Sequence, residues 1–313
     1  MHLVTFRRGR GVPKPGAVWH DAVLDLAGLA RDLAAQRGTL RRGRGGFPRS
    51  LLELIRGGES SAALAREAWE YGKGLVDHQA IEELARRKLA YPLGRVRLLA
   101  PIPAPARNIF CLGRNYAEHA AERGVAAPEH PVYFTKPDTC VVGPGDDVVH
   151  HAVTSELDYE VELAVVIGTG GKDIARADAL GHVFGYTVIN DVTARDLQKR
   201  HGQWFKGKSL DTFCPMGPVL VTADEIPDPQ ALAISLRVNG QVRQQSHTGR
   251  MIFPVAQCIE VLSQGMTLRP GDIIATGTPD GVGAASGNFL KPGDRVEAEV
   301  EGIGTLANRI VEP

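Results

Sequence analysis

The chain has 313 residues, of which 43% are hydrophobic and 23% charged, with 36 basic and 36 acidic side chains. That composition excludes an intrinsically disordered chain, and the length suits about two domains, each able to bury a core. The charge is divided: residues 1–100 carry 18 Lys and Arg against 10 Asp and Glu, and residues 101–313 carry 18 against 26.

In chain order, residues 3–6, 17–19 and 22–26 are β-prone, and 50–55 and 61–72 have amphipathic helical spacing with Gly57-Gly58 as a breaker between them. The basic run Arg41, Arg42, Arg44 and Arg49 has no interleaved aromatics and reads as a solvated loop, so no nucleic-acid partner is expected. Pro101, Pro103 and Pro105 resist both helix and central strand. They mark an extended connector (101–106) between a small N-terminal α+β domain (1–100) and a larger second domain (107–313).

Strand-like runs then dominate, at 109–112, 132–135, 159–167, 183–190, 219–222, 233–238, 272–276, 295–300 and 304–310. Turns at Pro144-Gly145, Asn239-Gly240, Pro270-Gly271 and Pro292-Gly293 cut them, and helices are expected near 116–123, 193–201 and 254–264. Many strands with few helices predict an α+β fold built on a β-sandwich or roll. No apolar run approaches the roughly 20 residues of a membrane helix, and the N-terminus lacks a secretory h-region, so the expected compartment is the cytoplasm. Cys111, Cys140, Cys214 and Cys258 have neither zinc nor disulfide-framework spacing and read as reduced, buried thiols.

The chemistry concentrates in the second domain. Glu160 and Glu162 lie two apart on a predicted strand that continues as Leu-Ala-Val-Val-Ile, so both leave one face. Two such charges about 5 Å apart repel by roughly 3 kcal/mol at an effective dielectric of 20. Either the strand end is wet or a cation compensates. Asp191, at the end of the apolar run 183–190 and before a helix start, favours the cation. Two Glu and one Asp without His or Cys form a hard-cation set; Mg²⁺ fits best, with Mn²⁺ or Ca²⁺ as alternatives. His119 and Glu122, at i and i+3 on a short helix, form either a general-base dyad or an ordinary surface pair. Lys208 reads as a loop lysine near the helix that follows Asp191. Thr276-Gly-Thr-Pro-Asp-Gly-Val-Gly283 lacks the P-loop Lys, but its amides suit a substrate carboxylate.

Six ordered motifs now stand together: Gly113-Arg-Asn-Tyr-x-x-His119, Phe134-x-Lys-Pro137, Leu157-Asp-Tyr-Glu-x-Glu-Leu163, Asn190-Asp-Val-Thr-Ala-Arg-Asp-x-Gln198, Gly207-Lys-Ser209 and Thr276-Gly-Thr-Pro-x-Gly-Val-Gly283. With them, residues 109–311 resemble the fumarylacetoacetate hydrolase family. The resemblance implies a mixed β-roll, usually dimeric, with the N-terminal hundred residues as a variable small domain. It implies Glu160, Glu162 and Asp191 as divalent-metal ligands, and His119 and Glu122 as the water-activating dyad. It implies Lys208 as a stabiliser of the substrate, and Arg114, Tyr116, Arg195, Gln198 and Thr278 around substrate or metal. The activity it implies first is Mg²⁺-dependent hydrolysis of a C–C bond in a small anionic 2,4-dioxo acid. The alternatives are isomerisation of a hydroxymuconate-type dioate, oxaloacetate decarboxylation at the same site, or a non-catalytic metal-bound scaffold. Gly249-Arg250 departs from the family's Thr-Ser-x-Met-Ile-Phe motif and places an Arg near the expected pocket mouth. Trp204 and Phe205 between glycines suggest either a lid over 199–208 or aromatics packed into a core or dimer interface.

Overall fold

The structure is a computed structural model that describes residues 1–39, 46–122 and 124–313. Arg41, Arg42, Arg44 and Arg123 lie outside the described residues. The chain divides inside the proline-rich segment, into units Met1–Ile102 and Pro103–Pro313.

The first unit is an antiparallel sheet with helices. Its strands are β1 (His2–Arg7), β2 (Lys14–Trp19) and β3 (Ala22–Asp25). Helices α1 (Leu26–Gln36), α2 (Leu51–Arg56), α3 (Gly58–His78) and α4 (Ile81–Arg87) follow, then β4 (Ala90–Pro92) and β5 (Arg97–Leu99). The sheet order is β4-β3-β2-β1-β5. Ser50 caps α2 by accepting the Glu53 N–H at 3.1 Å. The expected glycine break holds, with Gly57 closing α2 and Gly58 opening α3 at φ +60°.

The second unit opens with β6 (Ile109–Gly113), α5 (Ala117–Glu122), β7 (Val132–Lys136), β8 (Val141–Val142) and β9 (Asp147–Val149). Next come β10 (Leu157–Asp158), β11 (Val161–Ile167), β12 (Val183–Asn190), β13 (Thr193–Ala194), α6 (Arg195–Arg200), α7 (Phe205–Lys208) and β14 (Cys214–Thr222). The last elements are β15 (Ala233–Val238), β16 (Gln241–His247), α8 (Val255–Ser263), β17 (Ile273–Ala275), α9 (Gly283–Ser286), β18 (Arg295–Val300) and β19 (Gly304–Val311). One mixed sheet runs β14-β12-β11-β17-β6-β7, with β8 parallel to β14. A second runs β16-β15-β18-β19-β9.

The sheets pack through β11 on β15, β12 on β18 and β19, and β14 on β19, giving a mixed β-roll. Every residue of β11 is buried, as the apolar run over 163–167 requires of a central strand. All four cysteines are free and buried. No helix among the described residues is long and apolar enough to cross a membrane.

Two differences from the sequence reading bear on the site. The run expected as one strand over 159–167 breaks at Tyr159 and Glu160, and β11 starts only at Val161. The helix expected from Thr193 starts at Arg195, because Thr193 pairs in β13 and donates its hydroxyl to the Asp191 carbonyl at 2.9 Å. Asp196, in the first turn of that helix, accepts from the Thr154 hydroxyl at 2.6 Å.

At the β12–β14 contact, a Cβ on Gly185 would lie 2.1 Å from the Val221 carbonyl oxygen. Gly185→Ala is therefore predicted to lower unfolding stability by about 1–3 kcal/mol. Chemical denaturation checks it; an unshifted midpoint would show that the strand pair yields without cost.

Candidate active site

Three carboxylates meet where β11 begins and β12 ends. The Glu160 N–H donates to Asn190 Oδ1 at 2.9 Å, and the Asp191 N–H donates to the Glu160 carbonyl at 2.8 Å. This clamp aims Glu160 and Asp191 at Glu162, although Glu160 has left the strand. All three are buried, with carboxylate oxygens within 4.8 Å of one another.

Three buried cations offset this charge. Lys208 Nζ bridges Glu160 Oε2 (2.8 Å) and Asp191 Oδ2 (2.7 Å). Lys136, at the end of β7, donates to Asp191 Oδ1 (2.6 Å), to the Val192 carbonyl (3.1 Å) and to the Lys208 carbonyl. Arg195 donates to Asp158 Oδ2 (2.8 Å), Glu160 Oε1 (2.5 Å) and Gln198 Oε1 (3.1 Å). Burial opposes ionisation of Glu160, but Lys208 and Arg195 hold its carboxyl well below the usual range. Glu162 is the opposite case. Burial first, then Asp191 and Glu160, push it well above that range. Its Oε1 accepts no hydrogen bond, and its Oε2 accepts only the Gly277 N–H, at 2.8 Å.

That asymmetry is the fit test for a divalent cation. An all-oxygen donor set converges on one point, and a buried carboxylate oxygen there has no partner. Glu160, Glu162 and Asp191 thus fit a hard cation, whose charge would relieve Glu162.

In the glycine-rich loop, three glycine amides are occupied by the protein's own carboxylates: Gly277 on Glu162, Gly281 on Glu122 Oε2 (2.9 Å) and Gly283 on Asp158 Oδ1 (2.6 Å). Glycine is required at 281, where φ is +94° and a Cβ would lie 2.1 Å from the Arg243 carbonyl oxygen. Glu122, pinned by Gly281, binds His119 Nδ1 at 2.8 Å. The imidazole is thereby oriented, with Nε2 left as its second nitrogen.

A cavity of about 220 Å³ adjoins the triad. His119, Glu160, Arg195, Lys208, Arg114, Gln198 and Thr278 all reach its wall. Tyr116 does not; it is fully buried, and its hydroxyl has no partner. Arg195 reaches the wall while bridging Asp158 and Glu160. Arg250 lies off the wall, exposed, 3.6 Å from Glu118. Of the two aromatics in 199–208, Trp204 packs edge-on against Phe134 at 5.4 Å and lies so close over Gly113 that a Cβ there would be 2.1 Å from its ring. Phe205 is 47% exposed. Lys136 and Asp158 were missed as site residues by the sequence reading. Both sit inside the quoted motifs, which is the signal that marks them.

The description Fumarylacetoacetate (FAA) hydrolase C-terminal matches residues 108–311. The chain belongs to the fumarylacetoacetate hydrolase family. It is 52% identical over 269 residues to the oxaloacetate tautomerase YisK of Bacillus subtilis, covering 84% of this chain and 87% of that one. A solved fumarylacetoacetate hydrolase from psychrophilic Exiguobacterium antarcticum matches with TM-score 0.78 and 39% identity over 100% of both chains. A 5-carboxymethyl-2-hydroxymuconate delta-isomerase of Mycobacterium smegmatis matches with TM-score 0.64 and 46% identity, over 72% of this chain and 85% of that one. The fold is of the fumarylacetoacetate hydrolase type, as the six motifs implied, and the chain is an enzyme. The tautomerase and isomerase relatives favour the isomerase alternative over C–C hydrolysis.

Glu162→Gln keeps an acceptor for Gly277 but removes one of three anionic donors. It is predicted to weaken Mg²⁺ binding at least about 10-fold by calorimetry. Undiminished affinity in the folded variant would place the cation elsewhere.

Proposed function

We propose that the chain is a divalent-cation-dependent isomerase moving a proton within a small anionic 2-oxo acid, with keto–enol tautomerisation of oxaloacetate as its reaction. The observation that carries this over hydrolysis is the 52% identity to an oxaloacetate tautomerase, extending over more residues than the second unit contains. Glu160, Glu162 and Asp191 hold the cation, Mg²⁺ before Mn²⁺ or Ca²⁺. When bound, the cation supplies the positive charge that acidifies hydrogens beside the 2-oxo group.

The remaining work falls to the chain's own side chains. His119, with Nδ1 on Glu122, carries the proton between the enol oxygen and C3 through Nε2, so that atoms and charge balance over the cycle. Two of the three Lys208 N–H bonds go to Glu160 and Asp191, and the third faces the substrate oxygen. Thr278 accepts from Gln244 Nε2 at 2.9 Å, which leaves its own hydroxyl hydrogen for the acid. No catalytic residue is assigned to residues 1–100, and the enzyme is taken as a cytoplasmic homodimer, the dimer to be checked by light scattering. Hydrolysis of a 2,4-dioxo acid is the second reading, favoured by the same His119–Glu122 pair, which suits water activation equally well.

Decay of enol absorbance in oxaloacetate, against product release from an acylpyruvate, each with and without Mg²⁺, separates the two. His119→Ala is predicted to reduce tautomerisation about 10²–10⁴-fold while Mg²⁺ affinity persists. A variant as fast as the parent would remove His119 from the mechanism.

A further inference from the structure

β16 lies at the outer edge of its sheet, and of its seven residues only Gln244 is buried. A polar side chain is a costly occupant of such a position unless each of its hydrogen-bonding groups is met. The backbone is shaped to aim it inward. Against β15, Gln244 pairs with Leu236 and Val242 with Arg237, so Arg243 is an extra residue between them. A bulge of this kind re-aims the neighbouring side chain. The Arg243 carbonyl oxygen is the atom that a Cβ on Gly281 would meet, so the bulge lies against the loop that carries Thr278.

The Gln244 amide has one workable orientation. Its Oε1 accepts the Val161 N–H at 3.0 Å. Its Nε2 donates to the Pro279 carbonyl at 2.9 Å, with the Asp280 carbonyl farther off at 3.5 Å. The reverse orientation would set donor against donor and oxygen against oxygen. Nε2 also donates to Thr278 Oγ1, at 2.9 Å. Thr278 is buried and lines the cavity. A hydroxyl that accepts from an amide N–H keeps its own hydrogen to give. Thr278 therefore meets the cavity as a donor.

We propose that Gln244 is a positioning residue: by holding the Thr278 hydroxyl as a donor, it makes that part of the wall specific for an acceptor oxygen of the acid. Gln244 itself touches no substrate. The proposal deepens the tautomerase reading and rests on it for the identity of the acid. It gives the outer strand β16 a part in a site whose carboxylates, dyad and lysine all come from other elements. The rival role is purely structural, because Val161, which Gln244 also holds, lies between the metal ligands Glu160 and Glu162.

A double-mutant cycle on the Mg²⁺-loaded full chain separates the two, read by calorimetry as malate affinity. Thr278→Val removes the donor at nearly constant shape and is expected to weaken malate about 10-fold. Gln244→Glu keeps an acceptor for Val161 but replaces the amide donor, and the Thr278 hydrogen turns to the new carboxyl oxygen. The expected loss is again about 10-fold. In the Thr278→Val background the same change should cost less than about 2-fold, because the donor it misdirects is already gone. Equal losses in both backgrounds overturn the proposal, as does parental affinity in either single variant. Mg²⁺ affinity, measured separately, is expected to stay within about 2-fold of the parent. A fall that matches the malate loss assigns Gln244 to the Val161 contact and overturns the proposal. Gln244→Met removes the donor without adding charge, and it carries the same cycle if Gln244→Glu does not fold. On oxaloacetate the loss is expected in KM; a loss in kcat alone would act through Gly281 and Glu122 instead and also overturns it. A parent that shows the coupling on malate yet moves no proton on oxaloacetate removes the tautomerase reading and leaves the role of Gln244 standing.

Discussion

The second unit is organised around a repulsion. Asp158, Glu160, Glu162 and Asp191 are all buried within one neighbourhood, against Lys136, Arg195 and Lys208 as the buried Lys and Arg counter-ions among the described residues. Like charges in a poorly screened interior persist only when each is met by a cation or by backbone N–H groups. The fold distributes these unequally. Asp158 receives Arg195 and the amides of Tyr159, Gly283 and Ala284. Asp191 receives two lysines, and Glu160 receives a lysine and an arginine. Glu162 receives one amide. The imbalance collects on a single carboxylate, and that carboxylate faces the point where a hard cation fits.

The loop at 276–283 is the second half of the same arrangement. Three glycine amides from one short stretch reach Glu162, Glu122 and Asp158. One backbone segment therefore ties the metal triad, the His119 dyad and the Arg195 strut into a common frame. Side chains at Gly281 or Gly283 would collide with the Arg243 carbonyl or with the Asp158 carboxylate itself. The glycine requirement here comes from protein packing, and the wall is rigid before any substrate arrives.

Legibility from sequence followed the range of the interactions. The central strands were readable because burial on both faces leaves an unbroken apolar run, as in β11, and burial on one face leaves an alternation, as in β15 and β18. The Asn239-Gly240 turn was also readable; both residues have positive φ, the signature of a tight hairpin. The strand it leads into, β16, was not, because QVRQQSH is an outer strand with mostly polar residues. At the site, residue types and short spacings marked the triad and the dyad. The positioning layer stayed hidden. Lys136 meets Asp191 across 55 residues and Arg195 meets Asp158 across 37, distances over which neither pattern nor spacing carries information. Without those partners, the tie that Arg195 makes between Asp158 and Glu160 cannot be read from the sequence.

The same pairing sets which donors face the cavity in a chain with no net charge and an acidic second half. Selectivity for a small acid depends on which donors remain after the protein's own carboxylates are satisfied. Most of the cationic capacity near the cavity is consumed internally: Arg195 has its three contacts, Lys136 its three, and Lys208 two. What remains beside the triad is two N–H bonds on Arg195 and one on Lys208. The acidic cluster and the donors at the wall are therefore one arrangement, because the carboxylates that gather the cations also determine which of their N–H groups are left unpaired.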